Sequence, residues 1–94
     1  MKRRVVVTGL GAITSLSCQV EDLWQRICRG ESGVRPITLF DTTGYRVNFG
    51  GQVQNWSPDG YISPKDAKRI DRFAQFALVA AIDAVRDSGV DYAQ

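Results

Sequence analysis

Two cysteines, Cys18 and Cys28, are the intrinsically most nucleophilic side chains in this sequence. Cys18 precedes a predicted helix, and a helix N-terminus favours the thiolate form of a cysteine. A catalytic thiol also needs a neighbouring base, and the sequence contains no histidine to provide one. Two cysteines without histidine also match no zinc-ligand spacing. The sequence therefore predicts no catalytic residue and no metal site, with both thiols reduced and Cys28 packed in a helix core.

A Gly-x-Gly pair, Gly9 and Gly11, follows an apolar run and is typical of dinucleotide-binding folds. Thr14 stands where that motif needs its third glycine, and the next predicted helix starts near Val20, too late to meet a pyrophosphate. We therefore interpret the glycines as allowing a tight backbone turn. No cofactor is expected, and a dinucleotide-binding oxidoreductase remains the weakest alternative.

Four cations recur at helical spacing near residue 70. If one helix runs through them they form a single stripe, because they are spaced i, i+3, i+4 and i+7: Lys65, Lys68, Arg69 and Arg72. Such a patch attracts an anionic partner and accelerates encounter, although a merely solvated face has the same pattern. The net charge of +2 is too small to indicate a nucleic-acid partner.

The secondary structure predicted around these residues is mixed α/β. Hydrophobic periodicity, helix caps and glycine stops predict a strand at about 3–8, a helix at about 20–29, a weak strand at about 47–53 and a helix at about 64–88. Ser63 is the predicted N-cap of the last helix, with Pro64 in its first turn, and Gly89 ends it.

Two of these elements need more cover than 94 residues can supply. Valines 5–7 suit a strand covered on both faces, and the second half of the last helix is apolar almost all round. We therefore expect an incomplete fold, completed by further polypeptide or by a partner chain. No apolar run approaches the ~18 residues of a membrane span. The basic N-terminus resembles a secretory signal, but its apolar run is short and interrupted.

Four sequence blocks resemble the β-ketoacyl-acyl-carrier-protein synthases, condensing enzymes of the thiolase-like superfamily, and among them the synthase II group. The blocks keep the family's order and spacing: MKRRVVVTGLGAIT, VEDLWQRICRGESGV, FDTTGYRVNFGGQV and KDAKRIDRFAQFALVAAIDAVRDSGVD. Residues 15–19 depart from the family, which usually has a Ser-Pro-x-Gly-Asn turn there. That departure is typical of a divergent member or of a homologue with altered function.

The resemblance implies the N-terminal part of a thiolase-like α/β/α/β/α fold, incomplete in this chain, from a cytoplasmic homodimeric acyltransferase of fatty-acid or polyketide synthesis. It implies a catalytic cysteine and two histidines beyond Gln94, so neither Cys18 nor Cys28 is the nucleophile. It also implies that acyl carrier protein docks at Lys65, Lys68 and Arg69, with Arg72 added by helical geometry. A non-catalytic chain-length factor shares this opening and remains the main alternative.

Overall fold

The computed structural model describes residues 2–92, which fall into two compact units. The first unit comprises residues 2–11 and 58–92, and the second comprises residues 12–57. The elements in chain order are the helix α1 Val20–Cys28, the strands β1 Val34–Pro36 and β2 Phe49–Gly51, and the helices α2 Pro64–Ala67 and α3 Arg72–Ser88.

In the second unit, α1 begins as predicted and ends one residue early. Arg29 is the C-cap, and Gly30 follows with φ of 75°, the left-handed conformation in which a glycine has no Cβ clash. The apolar face of α1 is only partly covered: Trp24 is 63% exposed and Ile27 is 51% exposed, whereas Leu23 is half-buried. The prediction that Cys28 lies in a helix core is wrong: Cys28 is exposed, as are Trp24 and Ile27 in the same part of α1.

The sheet of the second unit is a two-stranded antiparallel pair, β1 with β2, in which Val34 lies opposite Gly51. The predicted strand at 47–53 is thus shortened to three residues, and β1 lies between the predicted elements, where the sequence predicted neither a helix nor a strand. The Gln52 side chain prolongs the pair. Its Oε1 accepts hydrogen bonds from the amides of Thr38 (3.2 Å) and Leu39 (3.3 Å), and its Nε2 donates to Thr38 Oγ1 (2.7 Å).

In the first unit, residues 2–11 form no strand, so the predicted strand at 3–8 is wrong for the described part of the chain. Val5 is 93% exposed and Val7 is 80% exposed. A strand is defined by hydrogen bonds to a neighbour, and the pairing within residues 2–92 is that of β1 with β2. The valines therefore have the composition of a buried strand, but within residues 2–92 they have no strand to pair with.

Gly9 and Gly11 lie against the backbone of α3. A Cβ at Gly9 would overlap Ala84 O, and one at Gly11 would overlap Ala80 O. Residues 9–14 form no turn, and neither glycine has a left-handed φ, so the turn interpretation was wrong: the missing Cβ serves close approach to the helix. The Leu10 amide, between them, donates to Asp87 Oδ2 (2.9 Å). The backbone of α3 thus occupies the space beside Gly9 and Gly11 that a pyrophosphate would need in a dinucleotide-binding motif.

The single helix predicted at 64–88 is two helices, α2 and α3, separated by residues 68–71. Ser63 caps α2 as predicted, its Oγ accepting from the Asp66 amide (3.2 Å). Asp71 is the N-cap of α3 and has an extended backbone, with φ −68° and ψ 161°, which interrupts the helix. Gly89 ends α3 with φ of 68°, as predicted.

The first unit buries little apolar surface. Val79 on α3 is 3% exposed and Ile62 is 8% exposed. Beside them Tyr61 donates its hydroxyl to Asp83 Oδ1 (2.7 Å), and the Arg86 guanidinium lies 5.0 Å from the Tyr61 ring centroid. The hydrogen bond to Asp83 raises the pKa of Tyr61. Within residues 2–92, no helix combines the length and hydrophobicity needed to span a membrane.

Candidate docking surface

Three of the four predicted docking cations share one helical turn, here called the basic corner: Lys65, Lys68 and Arg69. Lys65 is in α2 and Lys68 is its C-cap, with helical φ and ψ. The Lys68 amide donates to Pro64 O (3.3 Å) and the Arg69 amide to Asp66 O (3.0 Å). All three side chains are exposed. The corner therefore presents three cations to solvent from about one turn of backbone.

Arg72, the fourth predicted cation, has a different environment. It is the first residue of α3, beyond the break, so the one-helix stripe that included it does not exist. Its side chain is half-buried, and the guanidinium lies 5.4 Å from the Phe76 ring centroid. The Arg72 guanidinium therefore already has a cation–π interaction with a ring of its own helix. The docking role of Arg72 stays a prediction, separate from the basic corner.

The break that shapes the basic corner is bridged by a side chain to which the sequence patterns assigned no role. Gln75, in the first turn of α3, donates from Nε2 to Ala67 O (2.9 Å) and to Ile70 O (3.4 Å). Helix C-terminal carbonyls have no partner within their own helix. The amide of Gln75 supplies one for α2 across the break. Asp71, a residue type common at N-caps, was the sequence signal that could have revealed the break.

The thiol of Cys18 is not activated. It lines an open depression of about 670 Å³ in the second unit, together with Asp22 and Arg26. Burial raises the pKa of the Cys18 thiol, which disfavours the thiolate despite the helix that follows. A hydrogen bond from Ser17 lowers the pKa of Asp22, so that carboxylate is a poor base. Within residues 2–92, no cluster of His, Cys, Asp and Glu could hold a metal ion.

The two thiols should therefore react at different rates with a neutral alkylating agent. We expect Cys28, which is exposed, to be modified by iodoacetamide at least about threefold faster than Cys18 at pH 8, because thiolate fraction and access control the rate. Mass spectrometry of Cys18→Ser and Cys28→Ser variants of this chain measures each rate separately. Faster modification of Cys18 would contradict the unactivated thiol.

The sequence matches the family described as "Beta-ketoacyl synthase, N-terminal domain" over residues 2–94. It is 44% identical over 87 residues to the 3-oxoacyl-acyl-carrier-protein synthase 2 of Synechocystis sp., covering 93% of this chain and 21% of that protein. It is 41% identical over 90 residues to the Vibrio cholerae enzyme of the same name, covering 96% of this chain and 22% of the relative.

Among solved structures, the chain is similar to one described as "The ishigamide ketosynthase/chain length factor". The TM-score is 0.84 with 37% identity, and the match covers 97% of this chain and 23% of the other. The chain thus spans about a fifth of the length of the curated relatives it matches. Its small mixed arrangement of helices and strands corresponds to part of a ketosynthase fold.

Proposed function

Since this chain belongs to the β-ketoacyl synthase family, we propose that it is the N-terminal segment of a 3-oxoacyl-acyl-carrier-protein synthase. The parent enzyme is an acyltransferase of fatty-acid biosynthesis. It moves an acyl chain from its carrier protein to a cysteine thiol, and then condenses that chain with malonyl-carrier protein. The observation that carries the proposal is the family match over residues 2–94, together with two relatives above 40% identity.

The proposed reaction is a decarboxylative Claisen condensation. Loss of CO2 from the malonyl group leaves an enolate, whose carbon attacks the acyl thioester on the cysteine. The new carbon–carbon bond forms as the carbon–sulfur bond breaks, and the thiol is regenerated. The cysteine and the two histidines that the family uses for these steps lie outside this chain, so the segment alone has no condensing activity.

The segment's own contribution, in this proposal, is to dock the carrier. Acyl carrier proteins are acidic, and the basic corner offers them three exposed cations on about one turn of backbone. Lys65, Lys68 and Arg69 are the docking residues. Arg72 belongs to the periphery of the surface, since its guanidinium lies over Phe76.

The uncovered apolar residues of the segment support a larger parent fold. Val5, Val7 and Trp24 are each more than 60% exposed, a disposition that costs free energy unless other polypeptide covers them. In the proposed parent, residues 3–8 pair within the sheets of a thiolase-like α/β/α/β/α fold. The enzyme is a cytoplasmic homodimer.

A second candidate function is that of a non-catalytic chain-length factor, favoured by the similarity to a ketosynthase/chain length factor structure. Such a homologue keeps the fold and lacks the nucleophilic cysteine. The two candidates share everything described in this segment, so a measurement of condensation is needed to separate them.

The test is to supply the full-length protein with an acyl-carrier protein and malonyl-carrier protein and to measure CO2 release and the 3-oxoacyl product. We expect stoichiometric CO2 and product. Tight carrier binding without either product would establish the chain-length-factor alternative. If the full-length protein shows no carrier binding and forms no product, the proposed family function is overturned for this member.

A further inference from the structure

We propose that Gln75 is a positioning residue for the basic corner: it holds the turn between α2 and α3 in the shape that presents Lys68 and Arg69 to an acidic partner. The inference rests on the proposed docking function and adds to it a residue that does not itself touch the partner. The observation behind it is a side chain in one helix that donates to two carbonyls around the end of another.

The contacts of Gln75 close the turn from both sides. Its backbone amide donates to Asp71 O (3.0 Å), which fixes it in the first turn of α3. Its side-chain Nε2 reaches Ala67 O (2.9 Å), at the last residue of α2, and Ile70 O (3.4 Å), within the turn. The segment that carries Lys68 and Arg69 is thus tied, on either side, to a single half-buried side chain.

Helix α2 is too short to hold this turn unaided. It has four residues, and Lys68 and Arg69 follow at its C-terminal end, where carbonyls are left without intrahelical partners. A short helix gains little from propagation, so its ends fray unless other groups satisfy them. The amide of Gln75 satisfies one of these carbonyls and thereby lowers the number of conformations the two cations sample before binding.

Reducing that freedom improves binding without adding a contact, because a pre-ordered surface loses less conformational entropy when its partner docks. The substitution Gln75→Met keeps the length of the side chain and removes its donor. We expect it to weaken carrier-protein binding by the full-length protein about fivefold, the effect of losing roughly one net hydrogen bond. The salt dependence of the dissociation constant should stay unchanged, because no charge has been altered.

Three measurements test the proposal on the full-length protein: isothermal titration with apo-acyl carrier protein at 50 and 300 mM NaCl, hydrogen exchange of residues 68–70, and thermal unfolding. The matched control is Gln25→Met, an exposed glutamine on α1. We expect Gln75→Met, and not the control, to accelerate exchange at the Lys68 and Arg69 amides and to weaken binding. A rescue variant, Gln75→Lys, restores a donor and should recover slow exchange.

Two outcomes would overturn the positioning role. One is a lower unfolding temperature for Gln75→Met with unchanged exchange at residues 68–70 and unchanged affinity, which would make Gln75 a stabilising residue only. The other is faster exchange in Gln75→Met with unchanged affinity, while the charge reversal Lys68→Glu with Arg69→Glu still weakens carrier binding. If that reversal has no effect, the docking function itself fails, and the exchange result remains a separate test of the turn.

Discussion

Substituting Gly11 by alanine should destabilise the protein by about 3 kcal/mol, because the added Cβ overlaps the Ala80 carbonyl of α3. The obstructing atom is helix backbone, which cannot rotate away as a long side chain can. Gly9 meets the same obstacle one turn along, at Ala84 O. Two residues of an extended chain advance about 6.6 Å and one helical turn about 5.4 Å, so both glycines meet the helix at successive turns.

The controls for Gly11→Ala are alanine substitutions at two other glycines, Gly50 and Gly30, which differ from Gly11 in the space available for a Cβ and in backbone φ. A Cβ at Gly50 would lie 3.7 Å from the Ile37 side chain, which is an ordinary contact, so Gly50→Ala should change stability by less than about 0.5 kcal/mol. Gly30 has open space around it and a φ of 75°, so Gly30→Ala should cost about 1 kcal/mol from backbone strain.

Urea unfolding of the full-length protein, monitored by tryptophan fluorescence, measures the free energy of unfolding of all three glycine variants. The yield of soluble protein is a second measure of the same effect. The predicted order of destabilisation is Gly11→Ala, then Gly30→Ala, then Gly50→Ala. If Gly11→Ala is tolerated as well as Gly50→Ala, the N-terminal segment does not lie against α3 in the folded protein. The glycines would then need another explanation.

The elements that the sequence predicted correctly are those fixed by neighbouring residues. The start of α1, the Ser63 cap and the stop at Gly89 each depend on interactions within a few positions along the chain. Helix periodicity and caps are local signals, so they are readable without tertiary information. The exposure of the basic corner was also predictable, since lysine and arginine are rarely buried.

The features that the sequence did not reveal depend on residues distant in the chain. The close approach at Gly9 and Gly11 involves α3, more than 65 positions away, and no spacing near residue 10 encodes it. The valines at 5–7 were predicted to form a strand from composition alone, yet a strand needs a partner and none lies within residues 2–92. The break after α2 is the exception, because its signal, Asp71, is local. The cations at i, i+3, i+4 and i+7 are also consistent with one continuous helix, and that pattern was given precedence.

Reversing two charges of the basic corner, Lys68→Glu with Arg69→Glu, should weaken carrier-protein binding by the full-length protein about 30-fold. An exposed ion pair contributes up to about 1 kcal/mol, and losing two such pairs raises the binding free energy by about 2 kcal/mol. Repulsion between the new carboxylates and an acidic partner acts in the same direction. The effect should fall at high salt, because exposed charges are screened beyond about one Debye length.

The matched control for this reversal is Arg35→Glu with Arg46→Glu, which changes the net charge equally through two exposed arginines of the other unit. Titrations with acyl carrier protein at 50 and 300 mM NaCl compare the two double variants. We expect only the corner variant to lose both affinity and salt dependence. Arg72→Ala should weaken carrier binding less than Lys68→Ala does, since the Arg72 guanidinium lies over Phe76. Equal losses from both reversals would mean that net charge, and not the corner, attracts the carrier.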